Sequence, residues 1–270
     1  MKSNNNIMKV SDSFEKINNN FLSFSDTIAY KQQATRKGIA FKTILLLLIT
    51  TLTTIGFFTF FNNFSDPLLK NFNSSRSLFY GLLALSVLTS YVYTLGMNQV
   101  QTSNIFACLF AFLEGFMMAI CFYYINKEIH NLLEIVFIAA LGTVVIFCLM
   151  AHAYYKGVLK VTDRFKTIMQ KCAVALFCVY IVRLLLFFLG IGTIENVLYN
   201  SIIAIPLSLI MLGFLSLYLA LHFDYTENMI QQGLPAKYEW QVSLAFAATL
   251  IAIFLRIVSL LLRIIGKDRK

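Results

Sequence analysis

The fold of this chain is decided by its last long apolar run, residues 241–265, which reads QVSLAFAATLIAIFLRIVSLLLRII. A helix of about 25 residues is roughly 37 Å long, so this run can cross a bilayer whose hydrocarbon core is about 30 Å thick. One side of the helix carries small side chains, which let neighbouring helices approach closely in a membrane. We therefore predict a transmembrane helix surrounded by other helices. The small residues are Ala245, Ala248, Ala252 and Ser259.

Three acidic residues lie shortly before this run, at the expected membrane boundary. Asp224 belongs to the segment HFDY at 222–225, Glu239 belongs to the segment PAKYEW at 235–240, and Glu227 lies between the two. Charged groups are excluded from the hydrocarbon interior, and these acids form the densest acidic cluster in the second half of the chain, at its boundary. We expect any functional site of this chain to lie there.

The composition indicates the class of protein. Of the 270 residues, 59% are hydrophobic and only 13% are charged, a balance that soluble domains do not have. The formal net charge of +9 would suit nucleic acid, but the basic residues form no basic-aromatic array. Membrane topology and anionic lipid explain them better. We predict a polytopic membrane protein whose partner is the lipid bilayer and which binds no nucleic acid.

No cofactor or metal site is expected. His152 and His222 form no HExxH motif, and the five cysteines lie in apolar segments without CxxC spacing, so no disulfide or zinc site follows. No nucleophile can be paired with a base, and we expect the chain not to be an enzyme. The cysteines are Cys108, Cys121, Cys148, Cys172 and Cys178.

The chain divides into three predicted parts. Residues 1–37 form an Asn-rich, disordered cytoplasmic tail, residues 38–266 form a transmembrane domain, and residues 267–270 form a short basic tail. Apolar runs within the middle part predict seven spans. They lie at about 39–61, 78–97, 104–125, 132–154, 168–190, 198–221 and 241–265.

Basic residues near the spans predict the orientation of the chain. They cluster in the N-terminal flank, residues 31–42, and in the loop after the fourth span, residues 156–166. Short loops rich in Lys and Arg stay in the cytoplasm, so we predict a multi-pass protein of the cell (plasma) membrane with a cytoplasmic N-terminus. An odd number of spans then places the basic C-terminus outside. A re-entrant sixth or seventh segment would remove that conflict.

Six stretches of the sequence carry a resemblance to a known family. They are Lys42–Leu48, Leu113–Gly115, Leu141–Thr143, Tyr155–Phe165, Phe223–Asp224 and Gly233–Trp240. In this order, and covering nearly everything after residue 37, they resemble the Bax inhibitor-1/YccA-like membrane proteins, which carry the transmembrane Bax inhibitor motif. The match is closest to bacterial members that have a long N-terminal tail.

The resemblance implies an all-α bundle of seven transmembrane helices with the last helix central. Some members resemble pH-sensitive calcium leak channels, which are gated by two aspartates on the last two helices and a basic residue near the second helix. Asp224 matches the first aspartate. No acid lies near Ala248 or Thr249, where the second would fall, and the loop at 97–103 has no Lys or Arg. An acid elsewhere, Glu114 or Glu239, would have to substitute.

Asp224 is predicted to lie at the end of the sixth span, next to His222. A negative charge at the C-terminal end of a helix is unfavourable, so we interpret Asp224 as a proton sensor that titrates between about pH 5 and 7. When charged, it would hold Lys237 or an arginine of a neighbouring helix. The alternative is an ordinary solvated loop acid. For Glu239, the alternative is an interfacial anchor formed with Trp240 and its neighbours.

Glu114 is predicted near the middle of the third span, beside small residues at positions 107, 111, 115 and 119. A charged carboxylate at that depth costs about 3 kcal/mol. Glu114 is therefore either a proton or cation site or a structural residue, that is, a neutral acid or a strut that is paired with Arg183 or Arg256. Both arginines could instead extend to the outer membrane surface.

Two functions remain as expectations. The first is a pH-sensitive leak of cations, calcium or protons, along a path lined by Glu114 and Asp224. The second is a non-conducting regulator that binds another membrane protein such as a membrane protease, because YccA-like members resemble modulators of such an enzyme.

Overall fold

A computed structural model describes residues 33–64, 75–129, 131–188 and 201–267. Within these residues the chain forms seven α-helices and no strand, which confirms the prediction of an all-α bundle. The helices are α1 (Arg36–Phe64), α2 (Ser75–Asn98), α3 (Ser103–Glu128), α4 (Leu132–Tyr155), α5 (Asp163–Phe188), α6 (Ser201–Gln231) and α7 (Glu239–Lys267). Most of the predicted N-terminal tail and residues 268–270 lie outside the described residues.

Most of these helices are both long enough and apolar enough to cross a bilayer. In the described part of the chain, six helical segments are both long and apolar enough to do so. Each falls on a predicted span, so the prediction of a polytopic membrane protein is confirmed. The remaining helix, α5, is not among the six, and several of its side chains lie outside the described part.

The last helix is central to the bundle, as predicted. It contacts α1, α2, α3, α4 and α6, and half of the residues in its apolar window are buried, the largest share among the six spans. Its polar residues also bond to neighbouring backbones. Ser243 donates to the carbonyl of Ile39 on α1 at 3.0 Å, and Gln241 donates to the carbonyl of Met97 on α2 at 2.7 Å.

The predicted small-residue face of α3 packs closely on α1. Ala107, Ala111 and Ala119 are fully buried. At Gly115, an added Cβ would overlap the Thr53 side chain and lie 2.6 Å from the carbonyl oxygen of Thr50. Only a glycine permits this approach of two backbones, and it places the neighbouring Glu114 beside the interface between α1 and α3. The predicted small-residue face of α7 is only partly packed, because Ala245 is buried while Ala248, Ala252 and Ser259 are half-buried.

Helix α6 continues ten residues beyond the predicted end of the sixth span, from residue 221 to Gln231. It ends in a Schellman motif, in which Gly233 has a φ of +65° and donates to Ile230, and Leu234 donates to Met229. Asp224 therefore lies two turns inside the helix. The prediction that Asp224 lies at the unfavourable end of a helix dipole is wrong, because that effect is confined to the last turn.

Three chain segments meet at one end of the bundle, which we call the N-terminal end. They are residues 33–36, the loop between α4 and α5, and the turn between α6 and α7. Ala34 donates to the carbonyl of Leu234 at 2.9 Å, and the guanidinium of Arg36 lies over the Tyr155 ring at 5.7 Å. The two basic segments that predicted the topology thus share one side. Helices α6 and α7 are each continuous, so the re-entrant segment is not formed and α7 ends on the opposite side.

Candidate functional site

Glu239 opens α7 and is held from two directions. Pro235 leads into a short 3-10 turn, Ala236–Tyr238, and α7 begins immediately after it. Oε1 of Glu239 accepts from the backbone N–H of Thr35 at 2.7 Å, and Oε2 accepts from Nζ of Lys42 at 2.7 Å. The carboxylate also lies at the positive end of the α7 dipole. Both of its oxygens are therefore satisfied although the side chain is only 6% exposed.

Lys42 is fixed by more than its ion pair. Its ammonium also donates to the carbonyl of Ala236 at 3.3 Å and lies 5.1 Å from the centre of the Trp240 ring. Gly38 makes room for this arrangement, because a Cβ there would lie 2.6 Å from Cδ of Glu239 and closer still to its oxygens. The first turn of α1 is thus seated directly on the first turn of α7.

Two further ion pairs hold α6 at the same end. Asp224 Oδ2 lies 2.7 Å from Nζ of Lys166 on α5 and accepts from Asn228 at 2.9 Å. Glu227 accepts from Arg36 on α1, while its second oxygen is buried with no hydrogen-bond partner among the described residues. The acids of the α6–α7 hairpin are therefore each paired with a base from another helix.

The partner of Asp224 is not the one predicted. Lys166 holds it, rather than Lys237 or an arginine, because the extended α6 presents Asp224 to the start of α5. Residue 166 belongs to the basic loop segment that was interpreted only as a topology signal. Asp224 and Glu239, both predicted as site residues, share the N-terminal end of the bundle but bind different bases.

His222 faces a different neighbour from Asp224. Its Nε2 lies 2.8 Å from Oγ1 of Thr249 on α7, and its ring packs against those of Tyr218 and Phe246. The Thr249 hydroxyl donates to the carbonyl of Ala245, so it accepts from His222, and Nε2 carries the proton. An imidazole–hydroxyl pair thus joins α6 to α7 close to where the resemblance implies a second aspartate.

Glu114 is separate from this cluster. It lies 11 residues into α3, roughly 16 Å along the helix, and its Oε2 is buried without a hydrogen-bond partner in the described residues. A lone carboxylate in that position can take up a proton or a cation. Within the described part of the chain, Glu114 forms no ion pair with Arg256, and the Arg183 side chain lies outside that part.

Arg256 lies elsewhere, in a cleft between α5, α6 and α7. Among the described residues, no group of three or more His, Cys, Asp or Glu side chains is placed to hold a metal ion.

Comparison with known proteins identifies the family to which the chain is similar. Residues 14–266 match the family model described as Bax inhibitor 1 like. Searches of curated proteins and of solved structures found no match.

Proposed function

The chain belongs to the Bax inhibitor 1 like family, and from that premise we propose that it is a pH-sensitive channel through which calcium ions or protons leak across the cell membrane. The N-terminal end of the bundle is its gate and faces the cytoplasm in this proposal. In this proposal the arrangement with all three ion pairs formed is the closed one.

The observation that carries the proposal is the set of ion pairs on the α6–α7 hairpin. Glu239 and Glu227 bind bases of α1, and Asp224 binds a base of α5. The hairpin includes the start of the central helix, so moving the hairpin away from α1 and α5 at this end would break these pairs. A carboxylate that takes up a proton loses its attraction for the base, and a population then shifts toward an arrangement in which the pair is open.

The pairs differ in how readily solvent protons reach them. The side chains of Arg36 and Glu227 are 58% and 21% exposed, those of Lys166 and Asp224 are 37% and 17% exposed, and those of Lys42 and Glu239 are only 18% and 6% exposed. In this proposal Asp224 is the proton sensor because it matches the first gate aspartate that the resemblance implies, and Glu239, the least exposed of the three acids, is the fixed anchor. Loss of the Asp224 charge would free Lys166 and favour the open state, whereas the charged pair favours the closed state.

Glu114 supplies the acid inside the membrane. It lies beside the α1–α3 interface, and α1 is the helix that the gate holds through Arg36 and Lys42. A path past Glu114 would give a proton or cation one polar position between the two membrane surfaces. The role of Glu114 is thus to set the rate of passage rather than its pH dependence.

One observation favours a second function, that of a non-conducting regulator which binds another membrane protein such as a membrane protease. Thr249, rather than an acid, contacts His222 between α6 and α7. A conducting path through that point lacks the second carboxylate that the resemblance implies. The same ion pairs would then hold a binding surface in shape.

Flux measurements separate the two functions. Purified protein is reconstituted into sealed vesicles, and calcium and proton movement are followed with trapped dyes between about pH 5 and 8. The leak predicts flux above protein-free vesicles, rising as the pH falls. If neither ion moves at any pH, the leak function is excluded and the regulator function is favoured.

A further inference from the structure

Helix α5 is attached to the bundle more weakly than the other helices. In the described residues it makes no extensive helix–helix packing, and of its described side chains only Met169 is buried. The ion pair of Lys166 with Asp224 ties its first turn to α6. Farther along, α5 stands away from α6 and α7.

The gap beside α5 is a cleft of about 430 Å³. Its walls include Leu176 of α5, Met211 and Phe214 of α6, and Arg256 and Ser259 of α7. The volume falls within the range of about 300–1,000 Å³ that is typical of sites for small molecules. Inside a bilayer, an apolar gap of this size is filled by lipid chains.

One charge distinguishes this cleft from an ordinary lipid-facing groove. Arg256 is half-buried and forms no ion pair with an acid in the described part of the chain. Arg263 follows it by seven residues, which is two helical turns, so both guanidiniums lie on one face of α7. Arg263 is about 6 Å from the end of α7 at 1.5 Å per residue, at the level of the lipid headgroups.

We propose that the cleft binds an anionic phospholipid from the leaflet opposite the N-terminal end. One acyl chain occupies the apolar cleft, and the phosphate lies between Arg256 and Arg263, with the Ser259 hydroxyl available as a further donor. A guanidinium binds phosphate through paired hydrogen bonds, and basic pockets between transmembrane helices recognise anionic headgroups. The bound lipid fills the gap between α5 and the bundle.

The test compares two lipids that differ only in headgroup charge. The thermal unfolding of the full chain in detergent is titrated with phosphatidylglycerol and with phosphatidylcholine of identical acyl chains. We expect phosphatidylglycerol to stabilise the protein at lower concentration, and Arg256→Gln to weaken its apparent affinity roughly tenfold, as expected for the loss of a charge-assisted contact. Arg164→Gln, which removes a guanidinium at the other end of α5, is the matched control and should leave the preference unchanged.

A second variant tests the cleft without touching the charge. Ala252→Phe puts a larger side chain into the cleft and should also reduce the affinity for phosphatidylglycerol, which keeps the test valid if Arg256→Gln does not fold. Equal stabilisation of the unaltered protein by the two lipids would overturn the proposal. So would a preference for phosphatidylglycerol that survives in both Arg256→Gln and Ala252→Phe.

Discussion

The ammonium of Lys42 lies 2.7 Å from Oε2 of Glu239, and this pair joins the second turn of α1 to the first turn of α7. Breaking a buried pair leaves an uncompensated charge, so Lys42→Met should lower the free energy of unfolding by about 3–5 kcal/mol. Denaturant unfolding in detergent measures this loss. Lys37→Met removes an exposed lysine of the same helix and should have almost no effect, so equal losses for the two variants would refute a special role for Lys42.

Gly38 provides a second test of the same contact. An added methyl group at residue 38 overlaps the Glu239 carboxylate, so Gly38→Ala should destabilise the protein by about 1–3 kcal/mol through overpacking. Gly56, on the same helix, has nothing within 4 Å of its Cβ position. Gly56→Ala should therefore be neutral or stabilise by about 0.5–1 kcal/mol. If the two variants unfold alike, α1 does not sit on α7 as described.

Local sequence patterns were enough to predict where the helices lie and which acids belong to the candidate site. Apolar runs located the spans, and Asp224 and Glu239 were identified because they lie together with Glu227 at the expected membrane boundary. The basic residues that pair with these acids could not be identified in the same way. Lys42 and Glu239, for example, are 197 positions apart, and no local sequence pattern indicates such a contact. The basic segments at 31–42 and 156–166 were interpreted only as signals of membrane topology, so their role as ion-pair partners was not predicted.

The end of α6 was predicted too early for a different reason. The polar stretch after residue 221 was interpreted as a loop, because the prediction equated the end of the apolar run with the end of the helix. A helix can continue into water when its end is capped and packed, and here Gly233 caps it and Met229 is buried. The glycine was the available signal, since Gly is the usual C′ residue of a helix.

The orientation of the chain can be tested by cysteine labelling in a background without the five native cysteines. Residue 160 lies at the N-terminal end of the bundle and residue 131 at the opposite end, after α3. In intact cells, Lys160→Cys should resist an impermeant reagent, and Asn131→Cys should react with it. The reverse pattern would place the N-terminus outside, and equal labelling would contradict the alternation of the helices.

Glu114 is expected to control the amount of flux and not its pH dependence. Glu114→Gln keeps the size of the side chain and removes its ability to ionise, so flux in vesicles should fall while the midpoint of its pH profile stays in place. Gln replaces an acid that has no ion pair in the described residues, so stability should change little. A shifted midpoint with undiminished flux would assign Glu114 to the gate instead.

The most direct test of the gate is the pH profile of flux through Asp224→Asn in sealed vesicles. Asn cannot carry the charge that holds Lys166, so the variant mimics protonated Asp224 at every pH. The account predicts flux fixed at its low-pH level across about pH 5–8. Asp163→Asn, which neutralises an exposed acid of α5 at the same end, should keep the normal profile. A profile that survives Asp224→Asn unchanged would contradict the account.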